Sequence, residues 1–322
     1  MSSQVTENFA VANYHKARNL FGNLDKNIKI IEDKLDVKLI ARGSEIKVEG
    51  EEPRVDIALR ALEEMTKLIE EGDTISERQV KYIIELLQKD SDIDFSNIFN
   101  EVIQVNHKGR EIKPQTVGQK VYIEAMKRSD IVFSIGPAGT GKTYLAVVMA
   151  VKNLLNHRVD RIVLTRPAIE AGEELGFLPG DMQDKVDPYL RPLYDSLFDV
   201  LGPEKVKEYL EKDIIEVAPL AYMRGRTLDD SFIILDEAQN TTTEQMKMML
   251  TRIGFNSRAV ITGDITQIDL PYSQTSGLGE VEKILKGIEG IDFIYLDETD
   301  VVRHNLVRKI ITAYEESEQT DT

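Results

Sequence analysis

Five residues, Ile131-Val-Phe-Ser-Ile135, run directly into Gly136-Pro137-Ala138-Gly139-Thr140-Gly141-Lys142-Thr143, and helix-competent residues follow from Tyr144 to Leu155. The apolar run has the length of a buried strand, and strand, glycine-rich turn and helix start together make the P-loop pattern Gly-x-x-x-x-Gly-Lys-Thr. No other feature narrows the fold as far. It predicts an α/β chain in which a mostly parallel sheet is flanked by helices. Gly136, Gly139 and Gly141 let the backbone curl, so that the cradle from Gly136 through Pro137, Ala138 and Thr140 to Thr143 closes around phosphate and its N–H groups, which Pro137 alone lacks, meet phosphate oxygens. The start of the next helix adds its partial positive charge. Lys142 is expected to reach the β- and γ-phosphates, and the Thr143 hydroxyl to ligate Mg²⁺.

A loop that grips phosphate needs metal, water and base chemistry from elsewhere in the chain. Ser231-Phe-Ile-Ile-Leu235 is a further apolar strand and ends in Asp236-Glu237. In that position Asp236 is expected to hold the Mg²⁺ water shell and Glu237 to orient and activate the attacking water. Arg258-Ala-Val-Ile-Thr262 is another strand, and the Gly263-Asp-Ile-Thr-Gln267 after it puts Gln267 where it can sense the γ-phosphate; a plain turn is the other reading. Gln119, with Gln115 second, lies upstream of the loop, where a glutamine amide can pair with adenine N6 and N7. A solvated glutamine at a helix start serves equally well for either residue. The guanine-reading string Asn-Lys-x-Asp is absent, which favours ATP over GTP. Near the end, Arg303 sits on an expected helix from Asp300 to Glu315 that buries Val302, Leu306, Ile310 and Ile311. It is either an arginine finger for a neighbouring subunit's ATP or part of a solvated face.

Other segments are read more coarsely. Arg161-Ile-Val-Leu-Thr165, Ile214-Ile-Glu-Val217 and Asp292-Phe-Ile-Tyr-Leu296 are strands, and Thr241-x-x-Glu244 reads as a helix cap. Between Ala168 and Asp187 the chain is glycine-rich and acidic. Tyr189, Arg191 and Tyr194 beyond it either stack on a nucleic-acid strand or form a packed helix start.

The chain of 322 residues divides into an α/β unit over 1–90, a linker over 91–113, the phosphate-binding domain over 114–315 and an acidic tail over 316–322. In the first unit a strand near Val5–Ala10 precedes helices over Val11–Phe21 and from Leu24, the latter with Leu24, Ile28, Ile31 and Leu35 on one face. Two strands joined at Gly43-Ser44 and a helix opened by Pro53 and closed by Gly72 follow, and Ser76-x-x-Gln79 caps another helix. This β-α-turn-α-β-β-α order resembles a KH-type RNA-binding module. Its Gly-x-x-Gly clamp appears as Gly22-Asn-Leu-Asp25, and Asp25 places a negative charge where phosphate would approach. A scaffold or oligomerisation domain is the alternative.

Cysteine is absent and only four histidines occur, widely spaced, so disulfides and zinc sites are not expected. No apolar run has membrane-spanning length and Met1 to Ala10 has no signal pattern, so the expected location is the cytoplasm, with no membrane partner. A net charge of −16 argues against general adhesion to nucleic acid, though not against a local basic groove.

Several strings resemble the PhoH-like ATPase family of bacteria. They are the loop Gly136–Thr143, Leu175-Gly-Phe-Leu-Pro-Gly-Asp181, Pro188-Tyr-Leu-Arg-Pro-Leu-Tyr-Asp195, Leu235-Asp-Glu-Ala-Gln-Asn240, Gly263–Gln267 and Asp300-Val-Val-Arg-His304. The resemblance covers roughly residues 10 to 315. It implies a RecA-like core similar to that of superfamily 1 helicases, hydrolysis of ATP, and a role in RNA metabolism. Some members carry an added PIN-type nuclease; these 322 residues do not, so a separate endoribonuclease partner is implied. Helicases of that kind enclose ATP between two cores and this chain has one, so a homo-oligomeric ring completed by Arg303 is expected. A nucleotide-driven switch or scaffold that recruits an RNA-processing partner is the alternative function.

Overall fold

The computed structural model describes residues 4–11, 14–43, 45–70, 75–89, 95–167, 182–271 and 274–303, with 306–307, 310 and 313–314. They fall into two compact units: Met1–Glu101 with Lys113–Thr116, and Val102–Ile112 with Val117–Thr322. Gly72, Leu175–Asp181, His304 and the tail over 316–322 lie outside the described residues.

The first unit runs β1 (Gln4–Ala10), α1 (Tyr14–Phe21), α2 (Lys26–Leu35), β2 (Lys38–Arg42), β3 (Glu45–Glu51), α3 (Glu52–Glu70), α4 (Glu77–Gln88) and α5 (Ser96–Phe99). Its antiparallel sheet has the order β1-β3-β2, and Arg42 pairs with Glu45 at the end of the β2–β3 ladder. Ile46 and Val48 alternate into the core, where α3 packs on β3 with Val55, Ala58 and Leu62 buried. The capping box at Ser76 and Gln79 forms as expected. Leu24 does not join the buried face of α2. Leu24 and Asp25 both take left-handed backbone angles (φ 57° and 58°), the helix starts at Lys26, and Leu24 is left 77% exposed.

Within the segment expected as a linker over 91–113, the described residues 95–113 are folded. Phe95, Ile98 and Phe99 are buried, and Gln104–Val105 (β4) pairs with Glu111–Ile112 (β5) in a hairpin whose Ile103 and Ile112 enter the second unit's core. The apolar residues at those spacings bury surface that an extended linker would leave in water.

The second unit continues with α6 (Val117–Arg128), β6 (Ile131–Ile135), α7 (Lys142–Leu155), β7 (Arg161–Arg166), α8 (Met182–Leu201), α9 (Pro203–Glu211), β8 (Ile215–Pro219), β9 (Ser231–Leu235), α10 (Thr243–Leu250), β10 (Arg258–Gly263), α11 (Gly277–Leu285) and β11 (Ile291–Tyr295). The six strands pair in parallel in the order β11-β6-β10-β9-β7-β8. Successive side chains point to opposite faces, which makes two cores. Val132, Val260, Ile234 and Leu164 pack toward α6–α9, whereas Phe133, Ile261, Ile233 and Val163 pack toward α10 and α11. Phe133 and Phe293 stack with centroids 4.5 Å apart, holding β11 to β6. The phosphate-loop strand therefore lies inside the sheet, and the carboxyl ends of β6, β7, β9 and β10 share one edge, where such sheets bind ligands.

Two boundaries differ from expectation. The cap of α10 is Thr242 with Gln245, not Thr241 with Glu244, because the Thr241 hydroxyl donates to the Ala238 carbonyl instead. No helix starts at Asp300: Glu298–Asp300 is a 3-10 turn and Val301–Arg303 is non-helical. Leu306 and Ile310, in the helical residues beyond, are 59% and 48% exposed rather than buried. Among the described residues no helix is long and apolar enough to cross a membrane.

Candidate nucleotide site

The loop after β6 turns through Gly139 (φ 88°) and Gly141 (φ 83°), and α7 begins at Lys142. Both angles lie in the left-handed region, which glycine adopts without the Cβ clash that other residues meet. Lys142 is buried and folds back on its own loop. Its Nζ donates to the Gly136 carbonyl at 2.6 Å and the Pro137 carbonyl at 2.8 Å, with Thr140 Oγ1 at 3.4 Å. Burial lowers its proton affinity below the usual lysine value, against the opposing pull of the Asp264, Asp236 and Glu237 carboxylates.

Asp236, at the end of β9, is buried, and its Oδ1 accepts from Thr143 Oγ1 at 2.7 Å and Thr262 Oγ1 at 2.6 Å. Glu237 follows with a left-handed backbone (φ 53°, ψ 41°). Its Oε1 lies 2.7 Å from Arg166 Nη2, and its Oε2 accepts from Gln239 Nε2 at 2.6 Å. Gln239 is itself buried; its Nε2 also donates to the Gln267 carbonyl at 3.1 Å, and its Oε1 accepts the Asp264 N–H at 3.0 Å. Gln267 is exposed, and its N–H closes the turn onto the Asp264 carbonyl at 3.1 Å. Asp264 Oδ1 accepts from Thr266 twice, while its buried Oδ2 has no partner.

These groups enclose a cavity of about 300 Å³ lined by Gly139, Lys142, Thr143, Asp236, Glu237 and Gln267. Tyr144, Pro192 and Ser196 form another part of the wall, and Arg166 also reaches it. The fit to a magnesium ion and phosphate is direct. A hydroxyl and a carboxylate stand together at the loop, a lysine ammonium lies beside them, and a carboxylate oxygen nearby is unsatisfied. Among the described residues no group of three or more His, Cys, Asp or Glu could hold a metal ion.

Two further expected site residues, Gln119 and Arg303, pack against the phosphate loop. Gln119 is 3% exposed, outside the cavity lining, and its Nε2 donates to the Thr140 carbonyl at 2.9 Å. In this position it braces the phosphate loop. Gln115 belongs to the first unit, its Nε2 donating to the Lys113 carbonyl at 3.3 Å. Arg303 lies against Gly139 of its own chain, where a Cβ on that glycine would overlap the arginine side chain, and the adjacent Val302 N–H donates to the Gly139 carbonyl at 2.7 Å. The loop's own glycine is thus a neighbour of the Arg303 side chain. Of the α8 residues, Tyr194 stacks on Phe198 at 6.2 Å, both half-buried against the core, while Arg191 is exposed and 3.7 Å from Asp195. Arg166 and Gln239 are site residues that pattern reading did not single out. The available signal was position alone, one at the carboxyl end of a parallel strand and the other two residues past Glu237.

Residues 111–315 match the family described as PhoH-like protein. The chain is 56% identical over 308 residues to a PhoH-like protein of Bacillus subtilis, covering 96% of this chain and 97% of that one. A PhoH-like protein of Synechocystis is 46% identical over 318 residues, covering 99% and 97%. Protein PhoH of Escherichia coli K12 is 41% identical over 219 residues, covering 66% and 62%. Among solved structures, FlhF complexed with GTP and Mg²⁺ overlaps 86% of this chain and 92% of its own at 14% identity, with a TM-score of 0.20, too loose to bear on fold or ligand.

Proposed function

This chain belongs to the PhoH-like protein family, and on that premise we propose that it is a magnesium-dependent ATPase whose hydrolysis remodels RNA. The observation that carries the hydrolase reading is the Glu237 carboxylate, held in the cavity beside the Thr143–Asp236 pair. The loop amides and Lys142 bind the phosphates. The Lys142 ammonium already serves two loop carbonyls, and its third N–H, 3.4 Å from Thr140 Oγ1, is the donor most readily turned to phosphate oxygen. Glu237 orients a water for attack on the γ-phosphorus and draws off its proton as the bond to the bridging oxygen breaks. Mg²⁺, when bound, would be held by Thr143 and through water by Asp236, and would neutralise phosphate charge.

ATP is preferred to GTP in this reading because no Asn-Lys-x-Asp string occurs in the chain. RNA is supported by the resemblance described above and by the β-α-α-β-β-α order of the first unit. Self-association rests on the single core per chain, and a separate endoribonuclease on the same resemblance.

Turnover of the full chain and of Glu237→Gln, each with and without single- and double-stranded RNA, tests the proposal. The variant is expected to keep its ATP affinity while turnover falls about 10²- to 10⁴-fold, and RNA is expected to stimulate the wild type. Unchanged turnover in Glu237→Gln would remove that residue from water activation. A second reading, a slow nucleotide switch, is favoured by the fact that both Lys142 and Glu237 are already engaged by protein groups. Absence of RNA stimulation at low salt selects it.

A further inference from the structure

Arg166 ends β7 and makes two contacts with one planar group. Its Nη2 lies 2.7 Å from Glu237 Oε1, and its Nη1 donates to the Tyr189 carbonyl of α8 at 2.8 Å. A guanidinium is a rigid fork, so both contacts persist only while α8 and Glu237 keep a fixed spacing. The carboxylate has about four lone-pair sites, of which Arg166 and Gln239 each take one, leaving others open to water. The Glu237 backbone is left-handed at φ 53°, a conformation that residues with a Cβ seldom adopt, so the side-chain tethers oppose its relaxation.

We propose that Arg166 is the positioning residue of Glu237. It holds the carboxylate in one rotamer within the cavity and sets that rotamer from the position of α8. The proposal rests on the reading of Glu237 as the group that activates water. Lys142 and the phosphate loop bind nucleotide without Arg166. Its loss is therefore felt in the chemical step and not in affinity.

The test measures ATP affinity, kcat and KM for the full chain and for Arg166→Ala, Arg166→Lys, Glu237→Gln and the double variant Arg166→Ala/Glu237→Gln. Single-turnover rates serve where kcat is low. Arg166→Ala is expected to lower kcat by roughly ten- to a hundredfold, the cost of a small misplacement of a catalytic group, with KM and affinity within about twofold. Arg166→Lys recovers part of the rate, because an ammonium reaches Glu237 but is not a fork. In the Glu237→Gln background the alanine change costs nothing more. Wild-type kcat in Arg166→Ala, with Glu237→Gln inactive, overturns this proposal alone. A raised KM whose penalty persists without Glu237 also overturns it, assigning Arg166 to the phosphate. Wild-type turnover in Glu237→Gln removes the water-activating reading and this proposal with it. Should Arg166→Ala not fold, Arg166→Lys carries the test, and wild-type kcat there overturns the assignment.

Discussion

The hydroxyl of Thr143 and the carboxylate of Asp236 share a hydrogen bond of 2.7 Å, joining the first turn of α7 to the end of β9 through one oxygen that also accepts from Thr262. Asp236→Asn keeps an acceptor for both hydroxyls and removes the charge. It is expected to shift unfolding free energy by no more than about 1 kcal/mol, while Mg²⁺-dependent turnover is lost. Asp236→Ala leaves the buried Thr262 hydroxyl without its acceptor and costs about 1–3 kcal/mol. Urea unfolding beside magnesium titrations of activity separates the two effects.

Lys142 gives a pH signature. Burial depresses its folded-state pKa below the usual 10.5, so the unfolded chain binds more protons in the window between the two values. Stability conferred through this group is lost as pH falls through the folded pKa and is fully present above the unfolded one. Thermal unfolding of the wild type minus that of Lys142→Met should therefore move in the wild type's favour as pH rises toward 10.5. The same deprotonation should weaken ATP binding, since the ammonium is the group that meets phosphate.

Gln239 ties three site elements together with one amide. Gln239→Leu strands the Asp264 N–H and the Gln267 carbonyl and frees one oxygen of Glu237. A loss of about 1–3 kcal/mol in unfolding free energy and a fall in kcat larger than any change in KM are expected. Gln239→Glu keeps the acceptor but sets a second carboxylate against Glu237, and should be slower than wild type with a steeper pH profile.

Gln119 decides between bracing and base reading. Its amide donates to the Thr140 carbonyl, so Gln119→Ala should weaken ATP and GTP binding in parallel. A selective loss for ATP, measured by competition between the two nucleotides, would restore it as the adenine reader.

Much of this site was legible as pattern. The phosphate loop, the strand that ends at Asp236 and the Gly263–Gln267 turn each carry their chemistry in consecutive residues, and each strand announces itself by an apolar run. What escaped depends on contacts between distant segments or on degenerate local choices. Thr241, Thr242 and Thr243 stand in a row, with Glu244 and Gln245 three residues beyond the first two. Only the preceding 3-10 turn, which claims the Thr241 hydroxyl, selects Thr242 as the cap. Leu24 keeps helical spacing with Ile28, yet the α-helix does not begin until Lys26. Arg166 meets Glu237 because β7 and β9 are neighbours in the sheet, an adjacency that neither residue's local sequence encodes.

The phosphate loop sits near the middle of the chain, but its seat is completed much later. Leu296 donates to the Ile135 carbonyl at 2.8 Å, Asp300 accepts the Gly118 N–H at 3.2 Å, and Val302 reaches the Gly139 carbonyl at 2.7 Å. A ribosome must therefore translate well past the loop before these three restraints are in place. A nascent chain stopped short of Leu296 carries every residue from Gly136 to Thr143 but none of these three restraints, and so should retain ATP poorly until the last strand and the turn after it have emerged.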